Sequence, residues 1–462
     1  MKCLGIDIGT SSIKGAALNL EDCTVSEVIK EDFPAPITGL PTGHIEVDPS
    51  QIQTAVECLL TKLLAIAPDV SSVHWTGQMG GVILADEAGN ALTNYVSWRD
   101  QRTLERYPAR DASFFQILER RLTKSRMEEL GNDCKPGSAL SLLFWLAVQA
   151  ELHESAIPLA LPDYVCMRLC DAEPVTEYTS ALGTLNVEKN LWHREAFEEL
   201  GVDKLRWPQL IDPYQAVGAL MAHGNVIPSY PSVGDHQCAL AGMRLQKNEL
   251  SINVSTGSQI GVLAKDYQPG DYQVRPYFDR QYLKALTHLP AGRSLNVLVD
   301  LLCEIPHGQG IEVDDPWLYI TKAASDAKTD LDVDLAFFEG PMGSRGEIRN
   351  IKVENLNVGT LFRAAFDNMA DNYEGCASRL VPKGDWNGIV LSGGLISNCD
   401  ILRRLIEERF DCPVRLSGAP EETMEGLLVL AQVAHGRFSS VAEASAEVEC
   451  RQQAHCAENK TA

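Results

Sequence analysis

The chain has 462 residues, a formal net charge of −23, 45% hydrophobic content and thirteen cysteines. That length implies two domains rather than one core, and the acidity argues against a nucleic acid or an anionic membrane surface as partner. No apolar run approaches the roughly 20 residues of a membrane helix. Met1-Lys2-Cys3-Leu4-Gly5-Ile6-Asp7 reaches a carboxylate too soon for a secretory signal, so a cytoplasmic protein is expected. The cysteines are scattered without a Cys-x-x-Cys pair and read as reduced, buried thiols; Cys166 and Cys170 lie one helical turn apart with no ligand cluster to complete a zinc site.

In chain order, an apolar alternating run ends at Ile6-Asp7-Ile8-Gly9-Thr10-Ser11-Ser12 and resumes over 13–18, which predicts a β-hairpin with a glycine- and hydroxyl-rich tip. An extended stretch over 33–49 follows. The spacing of Ile52, Val56, Leu59, Leu60, Leu63 and Leu64 predicts an amphipathic helix over 49–67. Short buried strands are expected at 73–76 and 82–85, and a packed helix carrying Trp145 at 140–149. Residues 211–217 and 224–226 read as connections, and the domain boundary is expected near 229–232. Val233-Gly234-Asp235 reads as a strand ending at a carboxylate, with a helix after it. A second hairpin tip, Ile252-Asn253-Val254-Ser255-Thr256-Gly257-Ser258, echoes the first. Helices are expected over 361–380, 399–410 and 425–436, a buried strand over 389–391 running into Ser392-Gly393-Gly394, and a polar, peripheral tail after residue 438. Strands alternate with helices in both halves, the pattern of an α/β protein with helices on both faces of each sheet.

The two tips are the most informative feature. Successive backbone N–H groups and hydroxyls in such a turn offer donors to an anion, and Gly9 lets the backbone approach without a Cβ in the way. Asp7 cannot bind phosphate itself but can hold hydrated Mg²⁺. An ordinary tight hairpin would look similar in isolation; the echo at 253–258 favours two related domains facing one phosphate. No Gly-x-x-x-x-Gly-Lys-Ser/Thr occurs, and no Gly-x-Gly-x-x-Gly follows the first strand, which disfavours P-loop and dinucleotide enzymes. Asp235, at a strand end, could accept a hydroxyl proton during phosphoryl transfer or simply cap the next helix. Gly77-Gln78-Met79-Gly80-Gly81 and Trp98-Arg99-Asp100-Gln101-Arg102 combine donors, acceptors and an aromatic suited to a polyhydroxylated ligand, although Trp98 could equally be core.

Together these segments resemble the FGGY carbohydrate kinases, in order and over nearly the whole chain. The stretch from Leu4 through Lys14 resembles the family's first phosphate motif. Gly77-Gln78-Met79, the Trp98/Asp100/Arg102 pattern, Gly234-Asp235 and Ser392-Gly393-Gly394 resemble its sugar, catalytic and adenosine motifs, the last followed by a helix through Asn398, Arg403 and Arg404. Asn253-Val254-Ser255-Thr256, Arg275-Pro276-Tyr277-Phe278, His288-Leu289-Pro290-Ala291-Gly292-Arg293 and Asn368-Met369-Ala370-Asp371-Asn372-Tyr373 are closer to its sedoheptulokinase-like branch. Two departures are Gly80, where xylulokinase-like members carry His, and Glu177, where Asp is common.

The resemblance implies two ribonuclease-H-like domains of the actin/hexokinase type with a cleft between them: 1–230 with the sugar side and first phosphate hairpin, 231–440 with the catalytic aspartate and adenosine site, and a tail over 441–462. It implies an ATP- and Mg²⁺-dependent sugar kinase. Asp235 is then the general base and, with Asp7, a metal ligand. Gly9, Thr10, Ser11, Ser12, Thr256, Gly257 and Ser258 hold phosphates; Gly393, Gly394 and Asn398 border adenosine. Gln78, Met79, Trp98, Asp100 and Asp235 contact the sugar, Arg102 fixes Asp100, and a homodimer is possible. An actin- or chaperone-like ATPase and a non-catalytic sugar sensor are the alternatives on the same fold.

Overall fold

The computed structural model describes residues 1–153, 155–222, 224–382 and 385–461, with side chains up to residue 454. Two compact units are present. The first comprises residues 1–244, 265–282 and 419–462; the second comprises 245–264 and 283–418. Segments beyond residue 230 therefore fold with the first unit.

The sheet of the first unit is built on the expected hairpin, β1 (Lys2–Ile8) and β2 (Ser12–Asn19), extended by β3 (Thr24–Asp32). On its other side β1 pairs in parallel with β4 (Val70–Gly77). A further hairpin, β5 (Gly218–Ala222) and β6 (Asn225–Gly234), completes the order β5-β6-β4-β1-β2-β3. Of residues 224–226, expected as a connection, Asn225 and Val226 thus open a strand, and 229–232 lie inside it, paired with β4 through Ser229–Val73 and Ser232–Trp75. Pro228 and Pro231 lack ladder N–H groups, which hid the strand from pattern reading and accompanies its register shift.

The helix α1 (Pro49–Ile66) starts as its sequence dictates. Asp48 accepts a bond from the Ser50 amide and Pro49 occupies the first turn. All six apolar positions named above are buried. They pack on β2 so closely that a Cβ on Gly15 would lie 2.5 Å from Leu63 Cδ1. A separate core gathers Phe114, Leu118, Leu143, Phe144 and Phe197 outside the sheet, around the helix Ala139–Val148 and its neighbours. Trp145 belongs to this core, as expected.

The helix α2 (Asp235–Gly242) follows β6 directly and crosses α3 (Glu422–Ala434), which also packs on β1. The crossing is a backbone-to-backbone contact. A Cβ on Gly426 would lie 1.9 Å from the Cys238 carbonyl oxygen, and one on Gly242 1.9 Å from that of Glu422. The tail is not peripheral. It forms α4 (Val441–Thr461), which packs on α3 and buries Val441, Ala444 and Val448. Its apolar stripe is short and made of small residues, so its amphipathicity is weak in the sequence. Gln452 Nε2 donates to the Cys23 carbonyl at 3.0 Å and to Glu425 at 2.9 Å.

The second unit repeats the plan. Its hairpin is β7 (Glu249–Val254) with β8 (Ser258–Ala264), flanked by β9 (Gln281–Leu289) and by the parallel strands β10 (Gly388–Ser392) and β11 (Val414–Leu416), in the order β9-β8-β7-β10-β11. The run β8-β7-β10-β11 has the same antiparallel, parallel, parallel neighbours as β2-β1-β4-β6. The long helix α5 (Val358–Leu380) carries Phe362, Phe366, Met369 and Tyr373 in its buried stripe. The described cysteines are free thiols, mostly buried. No described helix is long and apolar enough to cross a membrane.

Because a methyl group has nowhere to go at the α2–α3 crossing, Gly426→Ala is expected to destabilise the first unit by about 3 kcal/mol. A urea-unfolding midpoint unchanged from wild type would contradict this packing.

Candidate active site

The carboxyl ends of parallel strands are where an α/β sheet presents ligand-binding groups. In the first unit β1, β4 and β6 end together, Gly77 being in register with both Ile8 and Gly234. Asp7 lies on β1 one residue before its end, and Asp235 follows β6 as the first residue of α2. Asp7 is buried. Its Oδ2 accepts the Thr423 hydroxyl at 2.8 Å, while Oδ1 has no hydrogen-bond partner. Burial raises its pKa, opposed by the Thr423 bond and by Lys14. Asp235 is raised to about 7, first by burial and then by the charge of Asp7, with the His236 amide and Arg275 acting in the opposite sense. Two buried carboxylates, one raised in part by the charge of the other and one with an orphaned oxygen, form a donor set suited to a hard divalent cation such as Mg²⁺.

The turn after β1 is closed by Gly9 N–H donating to Ser12 O at 3.1 Å. Thr10 and Ser12 are half-buried and Ser11 is exposed. Gln78 and Asp100, expected on the sugar, are both buried and fully engaged. Gln78 Nε2 donates to Gly9 O at 3.2 Å, and its Oε1 accepts Tyr95 OH at 3.1 Å. Asp100 accepts from Arg102 Nε at 2.9 Å, Arg102 Nη2 at 2.9 Å and the Ile45 amide at 2.6 Å. Gln78 therefore steadies the first turn. Asp100 and Arg102 brace the segment bearing Trp98, with Glu46 on the far side of the guanidinium at 2.6 Å. Trp98 is 37% exposed and donates its indole N–H to Thr10 Oγ1 at 3.0 Å, which leaves a ring face accessible beside the turn. Met79 lies against Gly234, where a Cβ would meet its sulfur at 2.4 Å. Gly80, with φ +76°, is a position where a side chain is disfavoured by backbone and by Trp98 alike.

Buried polar groups hold the segment that carries Asp235. Glu177 accepts the Thr179 amide at 2.8 Å and the Thr179 hydroxyl, whose oxygen accepts the Gly234 amide at 2.9 Å. Asp163 accepts the hydroxyls of Thr176, at 2.8 Å, and Ser232. Burial pushes Asp163 up to about 7 and Glu177 to about 8. Beside Asp235, Arg275 is clamped by Asp133 through Nε at 2.7 Å and Nη2 at 3.0 Å, and its Nη1 lies 2.9 Å from His236 Nδ1.

In the second unit the turn after β7 has Ser255 N–H donating to Gly257 O at 3.0 Å. It is backed by the amides of Gly292 and Arg293, which donate to Ser255 O at 3.1 Å and Thr256 O at 2.7 Å. Thr256 and Gly257 are exposed. Ser258 is not available as expected: it is buried, and its hydroxyl meets Tyr373 OH at 2.8 Å. Gly393 has φ +98°, and a Cβ there would lie 2.4 Å from Val254 O; over Gly394 there is open space. Asn398 Nδ2 donates to Gly394 O at 2.9 Å, shaping the Gly-Gly turn. Arg403 is paired with Asp400, and Arg404 donates to Ser325 O at 3.3 Å.

A family model, the N-terminal domain of the FGGY family of carbohydrate kinases, matches residues 2–230. Residues 2–230 thus carry the N-terminal domain of the FGGY carbohydrate kinases. Mouse sedoheptulokinase is 23% identical over 488 residues, covering 93% of this chain and 97% of that protein. Xylulose kinase of Bacillus subtilis (strain 168) is 28% identical over 229 residues, covering 48% of this chain and 43% of that protein, less than half its length. Two solved structures show the fold: ligand-bound xylulose kinase from Lactobacillus acidophilus (TM-score 0.80, 18% identity, 100% of this chain and 98% of that one) and Plasmodium falciparum glycerol kinase with ADP (TM-score 0.81, 15% identity, 100% and 97%). The chain thus has the two-unit α/β fold of the actin/hexokinase type.

Residues around Asp235 that the motif reading did not assign to the site are Thr423, Asp133, Arg275 and His236. The last is adjacent to the aspartate in sequence, and Arg275 lay within a quoted motif. Thr423 and Asp133 reach the site only through tertiary folding.

Asp235 carries a linkage signature. Its folded-state carboxyl titrates above the ordinary value, so its contribution to stability is full below pH about 4 and is lost as pH rises through about 7. In metal-free protein, Asp235→Asn is expected to raise the melting temperature, with a gain that widens between pH 6 and pH 8.5. A gain that is constant over that range, or absent, would contradict the raised titration of Asp235.

Proposed function

We propose that this protein transfers the γ-phosphoryl group of ATP to a terminal hydroxyl of a ketose, of the heptulose or pentulose class. The observation that carries the reading is the raised Asp7–Asp235 pair at the strand ends of a chain whose residues 2–230 carry the FGGY N-terminal domain. The near full-length match to sedoheptulokinase supports a heptulose. The shorter matches to xylulose kinases keep pentuloses in the substrate panel.

In this reading Asp235 is the general base. As the sugar oxygen attacks the γ-phosphorus and the bond to the β-phosphate oxygen breaks, its carboxylate takes the hydroxyl proton and ADP leaves. Asp7, with Asp235, would hold Mg²⁺, which when bound supplies positive charge to the phosphate oxygens. The turn at Gly9, Thr10, Ser11 and Ser12 and the turn at Thr256 and Gly257 are each proposed as phosphate cradles. Gly393, Gly394 and Asn398 are proposed to border adenosine. Trp98 offers a ring face to the sugar and Met79 an apolar edge. Arg275 and His236 offer donors beside the base, while Gln78 and Asp100 support the site without touching substrate. Glu177 acts through Thr179 on the backbone of Gly234, as a positioning residue. The exposed stripe of Val297, Leu301 and Ile305 on the helix Gly292–Gly308 favours a homodimer.

The decisive experiment is an ADP-release assay with MgATP and a panel of sedoheptulose, xylulose, ribulose and glycerol, with the phosphorylated product identified. Sugar-dependent release is expected from wild type. Asp235→Ala is expected to lose transfer by roughly 10²–10⁴-fold while still binding ATP. Near-normal turnover in that variant would remove Asp235 as base, and hydrolysis indifferent to every sugar would favour an ATPase.

A further inference from the structure

At the other end of α3 from Thr423, four donor side chains converge without any part in the chemistry above. Cys3 stands near the start of β1, and Ser72 and His74 stand two apart on the neighbouring strand β4, on one face. His435 caps the C-terminus of α3, which lies across that face. The ligand atoms of Cys3, His74 and His435 all lie within 4.8 Å of one another. Ser72 Oγ is 2.9 Å from His74 Nε2 and 2.9 Å from His435 Nε2, and Cys3 Sγ is 3.6 Å from His435 Nε2.

We infer that Cys3, His74 and His435 bind a divalent transition-metal ion of the zinc class, with Ser72 or a water as fourth ligand.

Two observations favour this over a purely hydrogen-bonded cluster. First, a zinc ion with ordinary bonds to one thiolate and one imidazole in tetrahedral array separates sulfur from nitrogen by about 3.5 Å, close to the separation seen between Cys3 and His435. Second, the donors are held in place: Cys3 and His74 are buried on adjacent strands, and His74 stacks on Tyr230 at 4.5 Å and 11°. On binding, the thiol loses its proton to solvent and the sulfur becomes a thiolate ligand. The mixed sulfur and nitrogen donor set selects a zinc-like ion over Mg²⁺, which prefers the all-oxygen pair of Asp7 and Asp235. An ion here would tie the end of α3 to β1 and β4, and so brace the helix whose first turn fixes Asp7.

The test uses the full chain. Purified protein, loaded with Zn²⁺ in the presence of excess Mg²⁺ and passed through a desalting column, is analysed for metal. A Co²⁺-loaded sample is examined for a thiolate-to-cobalt charge-transfer band. Wild type is expected to retain roughly one ion per chain and to show the band. Cys3→Ser is expected to lose the band, and both Cys3→Ser and His435→Gln are expected to retain less than roughly a tenth as much Zn²⁺ while keeping their fold by circular dichroism. Wild type that retains no Zn²⁺, or a Co²⁺ band of equal intensity in Cys3→Ser, would overturn the assignment.

Discussion

Two carboxylates are brought to one edge of the first sheet, and the local design answers the repulsion between them. Asp7 and Asp235 end up close because β1 and β6 flank β4 in parallel and terminate level with one another. Burial then denies both groups the water that would screen their charges, which raises the pKa of each. A fold selected for stability alone would place an amide or an apolar residue at one of these positions. Holding both carboxylates there therefore costs stability.

The scaffold keeps the two aspartates in register through backbone contact. Asp235 begins α2, and Thr423, which bonds Asp7, lies in the first turn of α3. Glycines at 242 and 426 let these helices touch main chain to main chain. From the other side, Glu177 and Asp163 hold the strand that delivers Asp235 through the hydroxyls of Thr179 and Ser232. Arg275, fixed by Asp133, adds a guanidinium near the pair. These polar groups are buried and mutually satisfied, which makes the arrangement rigid where a reacting oxygen would need it so.

Much of this was legible in the sequence where the signal is local. The stripe of α1, both hairpin tips and the strand–aspartate–helix junction at Gly234 are periodicity and turn chemistry, and each formed where the pattern put it. The duplicated strand order follows from the echo of the two tips. What the sequence does not show is anything decided by a distant partner. Gln78, Asp100 and Ser258 have side chains of a kind that binds ligands. Their bonds to Gly9 and Tyr95, to Ile45 and Arg102, and to Tyr373 are set by tertiary packing that no spacing reveals. The β5–β6 hairpin was masked by prolines, and α4 by a stripe of small residues. Thr423 reaches Asp7 across 416 positions of sequence.

If the aspartate pair holds a hard cation, the ion alone should stabilise the folded state. The most direct measurement is differential scanning calorimetry of nucleotide-free protein with and without millimolar Mg²⁺. Wild type should melt at a higher temperature with Mg²⁺, by mass action on the folded state, and Asp7→Asn should show no such rise. An equal rise in both proteins, or none in wild type, would contradict the role given to the pair.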